Sequence, residues 1–149
     1  MKNVVRGFVA LWYLLGWISH IYLGLFSPET YRVFGETALF PFIRTLWQLW
    51  IFPHITLCAL LLAAFEIAVG LLLINKGKWV KYGLAFSICF NLCLVLLGLG
   101  AANLSGWSDF LANRLANLVF IAIQLPLLWA SFDTSLFNIN KRKNGQKTA

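Results

Sequence analysis

A bilayer's hydrocarbon core, roughly 30 Å thick, takes about 20 apolar helical residues to cross. Four stretches of this chain, 7–27, 53–74, 82–102 and 115–132, meet that length, and Glu66 is the only Asp, Glu, Lys or Arg within them. Any backbone in lipid must satisfy its own N–H and C=O groups, and at this hydropathy the α-helix is the structure that does so. The pattern therefore predicts an all-α protein: an integral membrane four-helix bundle in one domain over 1–137, followed by a disordered basic tail from about residue 138 to 149. Composition agrees. Charged residues make up 11% of the chain, against about a quarter in soluble domains, and the mean hydropathy is +0.78.

The net charge of +7 raises nucleic acid as a partner, and the distribution argues against it. Lysines and arginines flank apolar runs and form no basic face interleaved with stacking aromatics. They read as topology signals and contacts to anionic lipid. With four spans, Lys2, Arg6, Lys76, Lys78, Lys81, Lys141, Arg142, Lys143 and Lys147 share one side, while Arg32, Arg44 and Arg114 share the other. The positive-inside rule makes both termini cytoplasmic. The start, MKNVVRGFVALWYLLGW, is followed by no small-x-small cleavage site and reads as a retained helix. The three cysteines, Cys58, Cys89 and Cys93, read as small buried residues, a Cys58–Cys93 pair being the alternative. Pro126 predicts a kink in the fourth span.

The external loop, 28–52, is rich in aromatics. FPFIRTLWQLWIF places Arg44 and Gln48 one helical turn apart and predicts a short interfacial helix, with Trp47 and Trp50 among head groups. The alternative is a lid or partner-docking element built on Arg44, Trp47 and Trp50. Arg114 and Asp109 read as an exposed surface pair of small energetic weight.

Spacings of three, four and seven put residues on one helix face. Tyr13, Gly16, His20, Gly24 and Ser27 align on the first span, and Ala59, Ala63, Glu66 and Gly70 on the second. Ser87, Asn91 and Gly98 align on the third, and Asn113, Asn117, Gln124 and Ser131 on the fourth. Each span thus carries one small or polar stripe, the pattern of helices that pack in lipid through close approach and interhelical hydrogen bonds. At 1.5 Å per residue, Glu66, Asn91 and Gln124 fall within roughly 5 Å of the midplane, and His20 about 5 Å toward the outside. The amides are then expected as partners of Glu66, with His20 a water-bridged neighbour.

An ionisable residue at such depth is a functional candidate. His20, Glu66, Asn91, Asn117 and Gln124 are the candidate ligand-binding or proton-handling residues. The competing reading makes Glu66 a fastener between helices and His20 a packing residue, and His54 reads as interfacial. The His20–His54 spacing does not call for a haem. No metal-ligand spacing, phosphate loop or Ser-His-Asp arrangement is readable, so an enzyme acting alone is the least supported class and no catalytic residue is assigned. Transport predicts inverted repeats or broken helices, for which Pro126 is the one sign.

RGFVALWYLLGWISHIYLGLF and LLLAAFEIAVGLLLINKGKWVKYGLAFSICF together resemble the DoxX-like membrane proteins. Arg6, Gly16, Glu66, Gly70, Leu71, Leu72, Leu73, Gly77 and Gly83 carry the resemblance, which covers about the first two-thirds of the chain. His20 stands where many relatives have a basic residue, and the 28–52 loop is long. The resemblance implies a four-helix protein of the bacterial inner membrane. Some of its members are linked to quinone-dependent oxidation of sulfur compounds, others to accessory or redox-stress roles. Two expectations follow. One is a small apolar ligand, a quinone or lipid, bound between the helices, the chain being one subunit of a quinone-linked oxidoreductase. The other is a non-catalytic accessory or scaffold subunit whose external loop docks a membrane or extracytoplasmic protein partner.

Overall fold

A computed structural model describes residues 1–138, which are helical and turn in character with no strand. In chain order the α-helices are α1 (Lys2–Phe26), α2 (Arg32–Glu36), α3 (Pro41–Leu46), α4 (Ile55–Ile74), α5 (Lys78–Leu97), α6 (Gly106–Phe110) and α7 (Ala116–Gln124). Four continuous helical runs are long and apolar enough to cross a membrane: Lys2–Phe26, Pro41–Ile74, Lys78–Leu97 and Gly106–Leu128. The tail beyond Asn138 lies outside the described residues.

These runs are bounded by local chemistry. Pro28 follows α1, where it disfavours a further helical residue before it. Pro41 opens α3 at a position whose N–H has no helical acceptor. The second run starts earlier than the expected residue 53. A π-turn at Trp47–Ile51 and a 3-10 turn at Phe52–His54 carry the chain from α3 into α4 without a break. The expected short helix is therefore continuous with the second run. α5 starts at Lys78 rather than residue 82, directly after Gly77, whose φ of +60° turns the chain into the helix. It stops at Gly98, whose φ of +91° ends it early. Past Gln124 the chain tightens into a 3-10 turn, Leu125–Leu128, around Pro126.

α1 lies along α4, α4 against α5, and α5 against α7, with a smaller contact between α1 and α7. The α1–α4 seam is made of the small residues that share its faces. A Cβ on Gly24 would lie 2.6 Å from the Cβ of Ala59, and one on Gly70 would lie 2.6 Å from Leu14. At the end carrying the N-terminus, Val9, Ala10, Tyr13, Val69, Leu73, Val80, Leu84, Leu127 and Phe132 form the main core. At the opposite end, the loop end, Tyr31, Ile55 and Ala59 form a second core backed by Phe34 and Trp47.

Polarity runs inward. Glu66, Ser87, Asn91, Asn117 and Gln124 are buried, while Leu11, Trp12, Leu15, Ile18, Leu57, Leu61, Phe86, Leu92 and Val119 face outward. With no water outside, polar groups find partners only inside, so this distribution suits a lipid surrounding. Two expectations are corrected at the surface. Cys89 and Cys93 are exposed on α5 rather than buried, and all three cysteines are free thiols.

Candidate functional site

Glu66 sits mid-way along α4, facing α1. Gly16 leaves the room it needs: a Cβ there would lie 2.9 Å from Oε2. One turn further along α1, His20 brings Nε2 to 3.4 Å from Glu66 Oε1, the side chains being 21% and 5% exposed. The other ring nitrogen, Nδ1, is 2.7 Å from the Tyr31 hydroxyl. Tyr31 ends the 3-10 turn Pro28–Tyr31 and stacks on the imidazole. Three titratable side chains thus form one line, from the middle of α4 to the loop end.

Tyr31 is held from behind, since Trp47 Nε1–H donates to its carbonyl at 3.0 Å. Burial, and after it the nearby charge of Glu66, pushes the Tyr31 phenol up to about 12. It therefore keeps its proton at ordinary pH. When the phenol donates to Nδ1, the imidazole's own proton stands on Nε2, facing Glu66. The Glu66–His20 separation is longer than a well-formed hydrogen bond, and Oε2 is buried with no partner. The line is therefore aligned but not closed.

The expected partners of Glu66 are corrected here. Among the described residues no amide hydrogen-bonds to it, and His20 lies directly beside it, too close for a water between them. Asn91 donates to the Tyr13 hydroxyl at 3.0 Å and to the Ser87 carbonyl at 2.8 Å. Gln124 donates to the Phe120 carbonyl at 2.8 Å, leaving Oε1 without a partner, as is Asn117 Nδ2. A helix's own carbonyls are the nearest acceptors to its side-chain amides, and here they take Asn91 and Gln124.

In the 28–52 segment, Arg44 is exposed and donates to the Glu36 carbonyl at 2.7 Å. Trp47 packs against Gly35 and Phe34, while Trp50 is 68% exposed. Trp47 thus braces the cap over His20, and neither Arg44 nor Trp50 touches the Glu66 line. An open groove of about 630 Å³ at this end is lined by Pro28, Glu29, Phe52, Pro53, His54 and their neighbours. It does not include Glu66 or His20.

Arg114 and Asp109 require a further correction. The pair is 2.8 Å apart and only 7% and 28% exposed, so solvent does not screen it as at a surface. Arg114 also donates to the Thr37 carbonyl at 2.8 Å. Beside it, Asn113 accepts from the N–H groups of Leu99 and Ala101 and donates to Ala101 and Asp109. This network latches the α2 end to the connection between α5 and α6.

Tyr31 was missed because its segment has no periodicity to assign it a face. Tyr13 was legible as a stripe member of the first span and is buried, whereas Arg6, expected as a boundary charge, is buried beside it. Among the described residues, no group of three or more His, Cys, Asp or Glu side chains is placed to hold a metal ion. Comparison with family models, curated proteins and solved structures finds no match.

Proposed function

We propose that this chain is a four-helix bundle of the bacterial cytoplasmic membrane, DoxX-like, with cytoplasmic termini. In this reading it binds a small apolar ligand of the quinone class at the Glu66–His20–Tyr31 line. It serves a membrane redox system as the subunit that seats the ligand and handles its protons, with electrons supplied by a partner oxidoreductase. The observation that supports the reading is the line itself: acid, imidazole and phenol in series, from α4 through α1 to the Pro28–Tyr31 turn. His20 is the most exposed of the three, so a ligand carbonyl meets the line there. An imidazole beside a carboxyl group is suited to passing a proton. The incomplete Glu66–His20 contact leaves room for geometry to tighten on binding.

The test is a titration of the chain in phosphatidylcholine nanodiscs with a short-chain benzoquinone, read by quenching of tryptophan fluorescence. Saturable quenching is expected, with affinity weakened about tenfold or more in Glu66→Gln and in His20→Ala, the loss expected for a hydrogen bond to a charged or polarised group. Equal titrations in all three proteins would remove the proposal.

A second reading, an accessory subunit that docks a partner protein, draws on the exposed aromatic edge of Phe40, Phe42 and Trp50. Co-purification after mild extraction tests it. A chain that emerges alone, with Phe42→Ala and Trp50→Ala behaving as the parent does, counts against docking.

A further inference from the structure

At the opposite end of the molecule from Tyr31, three cations surround one ring. The Phe132 centroid is 5.0 Å from the Arg6 guanidinium, 5.3 Å from Lys81 Nζ and 5.9 Å from Lys2 Nζ. Among the described residues no carboxylate is within ion-pair distance of any of them, and Asp133, next to the ring in sequence, forms no ion pair. Their donors are unequally used. Lys81 gives its protons to the carbonyls of Leu127, Leu128 and Ala130, which lie at and just past the end of the fourth helical run, where carbonyls have no helical donor. An ammonium has three protons, so Lys81 has none to spare and contributes only charge. Lys2 donates once, to the Ser131 carbonyl at 2.8 Å, and is otherwise exposed. Arg6 is fully buried and donates once, from Nη2 to the Thr134 carbonyl at 3.2 Å. Its Nε and Nη1 have no partner.

A buried guanidinium with open donors and no counter-charge is costly. Carbonyl oxygens and a ring face offset part of the cost and leave the net charge in place. The cluster lies at the first turns of α1 and α5, beside the segment that follows the fourth helical run. In a membrane-embedded chain this is the depth of the lipid phosphates, toward which long basic side chains extend.

We infer that Arg6 and Lys2, with Lys81 behind them, form a binding site for a phosphate group, the headgroup phosphate of an acidic phospholipid. Arg6 supplies the buried donors, Lys2 stands at the mouth, and the phosphate oxygens provide the acceptors the protein lacks there. The site is separate from the Glu66 line and does not depend on a quinone binding to it.

The full chain in nanodiscs of equal phosphatidylglycerol and phosphatidylcholine, released gently into native mass spectrometry, provides the test. Retention of a single phosphatidylglycerol in preference to phosphatidylcholine is expected. Arg6→Gln lowers that preference about tenfold. Lys2→Gln, an exposed change that leaves the core intact, lowers it about fivefold, in line with one cation near a lipid surface. A parallel arm adds inorganic phosphate to the chain in phosphatidylcholine alone. If phosphate raises the unfolding temperature and Lys2→Gln reduces that rise, the site stands and free phosphate also fills it. Two results would overturn the inference: no preference for the acidic lipid together with no phosphate effect, or a preference that both variants leave unchanged.

Discussion

Two acids in this protein, Glu66 buried and Asp109 partly buried, sit beside a nitrogen-bearing side chain, and they are built differently. Asp109 at the loop end is 2.8 Å from Arg114 Nη1, and its other oxygen accepts from Asn113. Both carboxylate oxygens are engaged, and Arg114 and Asn113 are in turn tied to backbone carbonyls. Glu66 on α4 is 3.4 Å from His20, and its second oxygen has no partner. A carboxylate with every acceptor site engaged holds structure and has nothing left to offer a ligand. A carboxylate with one loose contact and one open oxygen is a poor fastener and a better reagent. The difference separates latch from site without any knowledge of what binds.

Stability measurements in detergent break or sharpen this contrast. Arg114→Ala is expected to cost the most, about 3 kcal/mol, because it leaves the partly buried Asp109 and the Thr37 carbonyl without their charged partner. Chemical unfolding followed by circular dichroism reads it, and a loss similar to that of Glu66→Gln would erase the distinction. Gly24→Ala comes next at about 1–3 kcal/mol, since the new methyl collides with Ala59 on a seam that has no slack. Gly16→Ala meets the movable end of Glu66 instead. It should unfold with a smaller loss than Gly24→Ala, yet displace the carboxyl and weaken benzoquinone quenching. Glu66→Gln itself is expected to change stability by about 1 kcal/mol or less.

The smallest effect is a pH dependence. The Tyr31 phenol is raised from 10.0 to about 12, first by burial and then by the charge of Glu66. A raised acid stabilises the folded state fully below its unfolded value and loses that contribution as pH climbs through the folded one. The stability difference between the parent and Tyr31→Phe should therefore be constant below pH 10 and shrink from there toward pH 12. A difference that stays constant through pH 12 would contradict a raised phenol in the folded protein.

The four apolar runs were legible because lipid leaves a helix few alternatives, and hydropathy alone reports that. Glu66 and His20 were legible as stripe members because both sit in regular helix, where spacing fixes a face. Their direct contact was not, since depth counted at 1.5 Å per residue cannot tell which of several polar groups at one level will meet. Spacing likewise did not reveal that Asn91 and Gln124 would turn to carbonyls of their own helices. The second run's start was hidden by a π-turn, which has no composition of its own. Arg114 and Arg6 read as boundary charges; burial of each depends on contacts more than seventy residues away in sequence, Arg114 with Thr37 and Arg6 with Thr134. Periodicity carries no information at that range.

The central claim, that a quinone-class ligand meets the chain at His20 and Glu66, is tested most directly by where such a ligand lands. A photoreactive benzoquinone can be activated with the chain in nanodiscs and its adducts mapped by mass spectrometry of peptides. The account predicts labelling centred on His20 and its neighbours on α1 and on the Tyr31 segment, diminished in Glu66→Gln. Labelling confined to the groove around Phe52–His54, unchanged by that substitution, would contradict it.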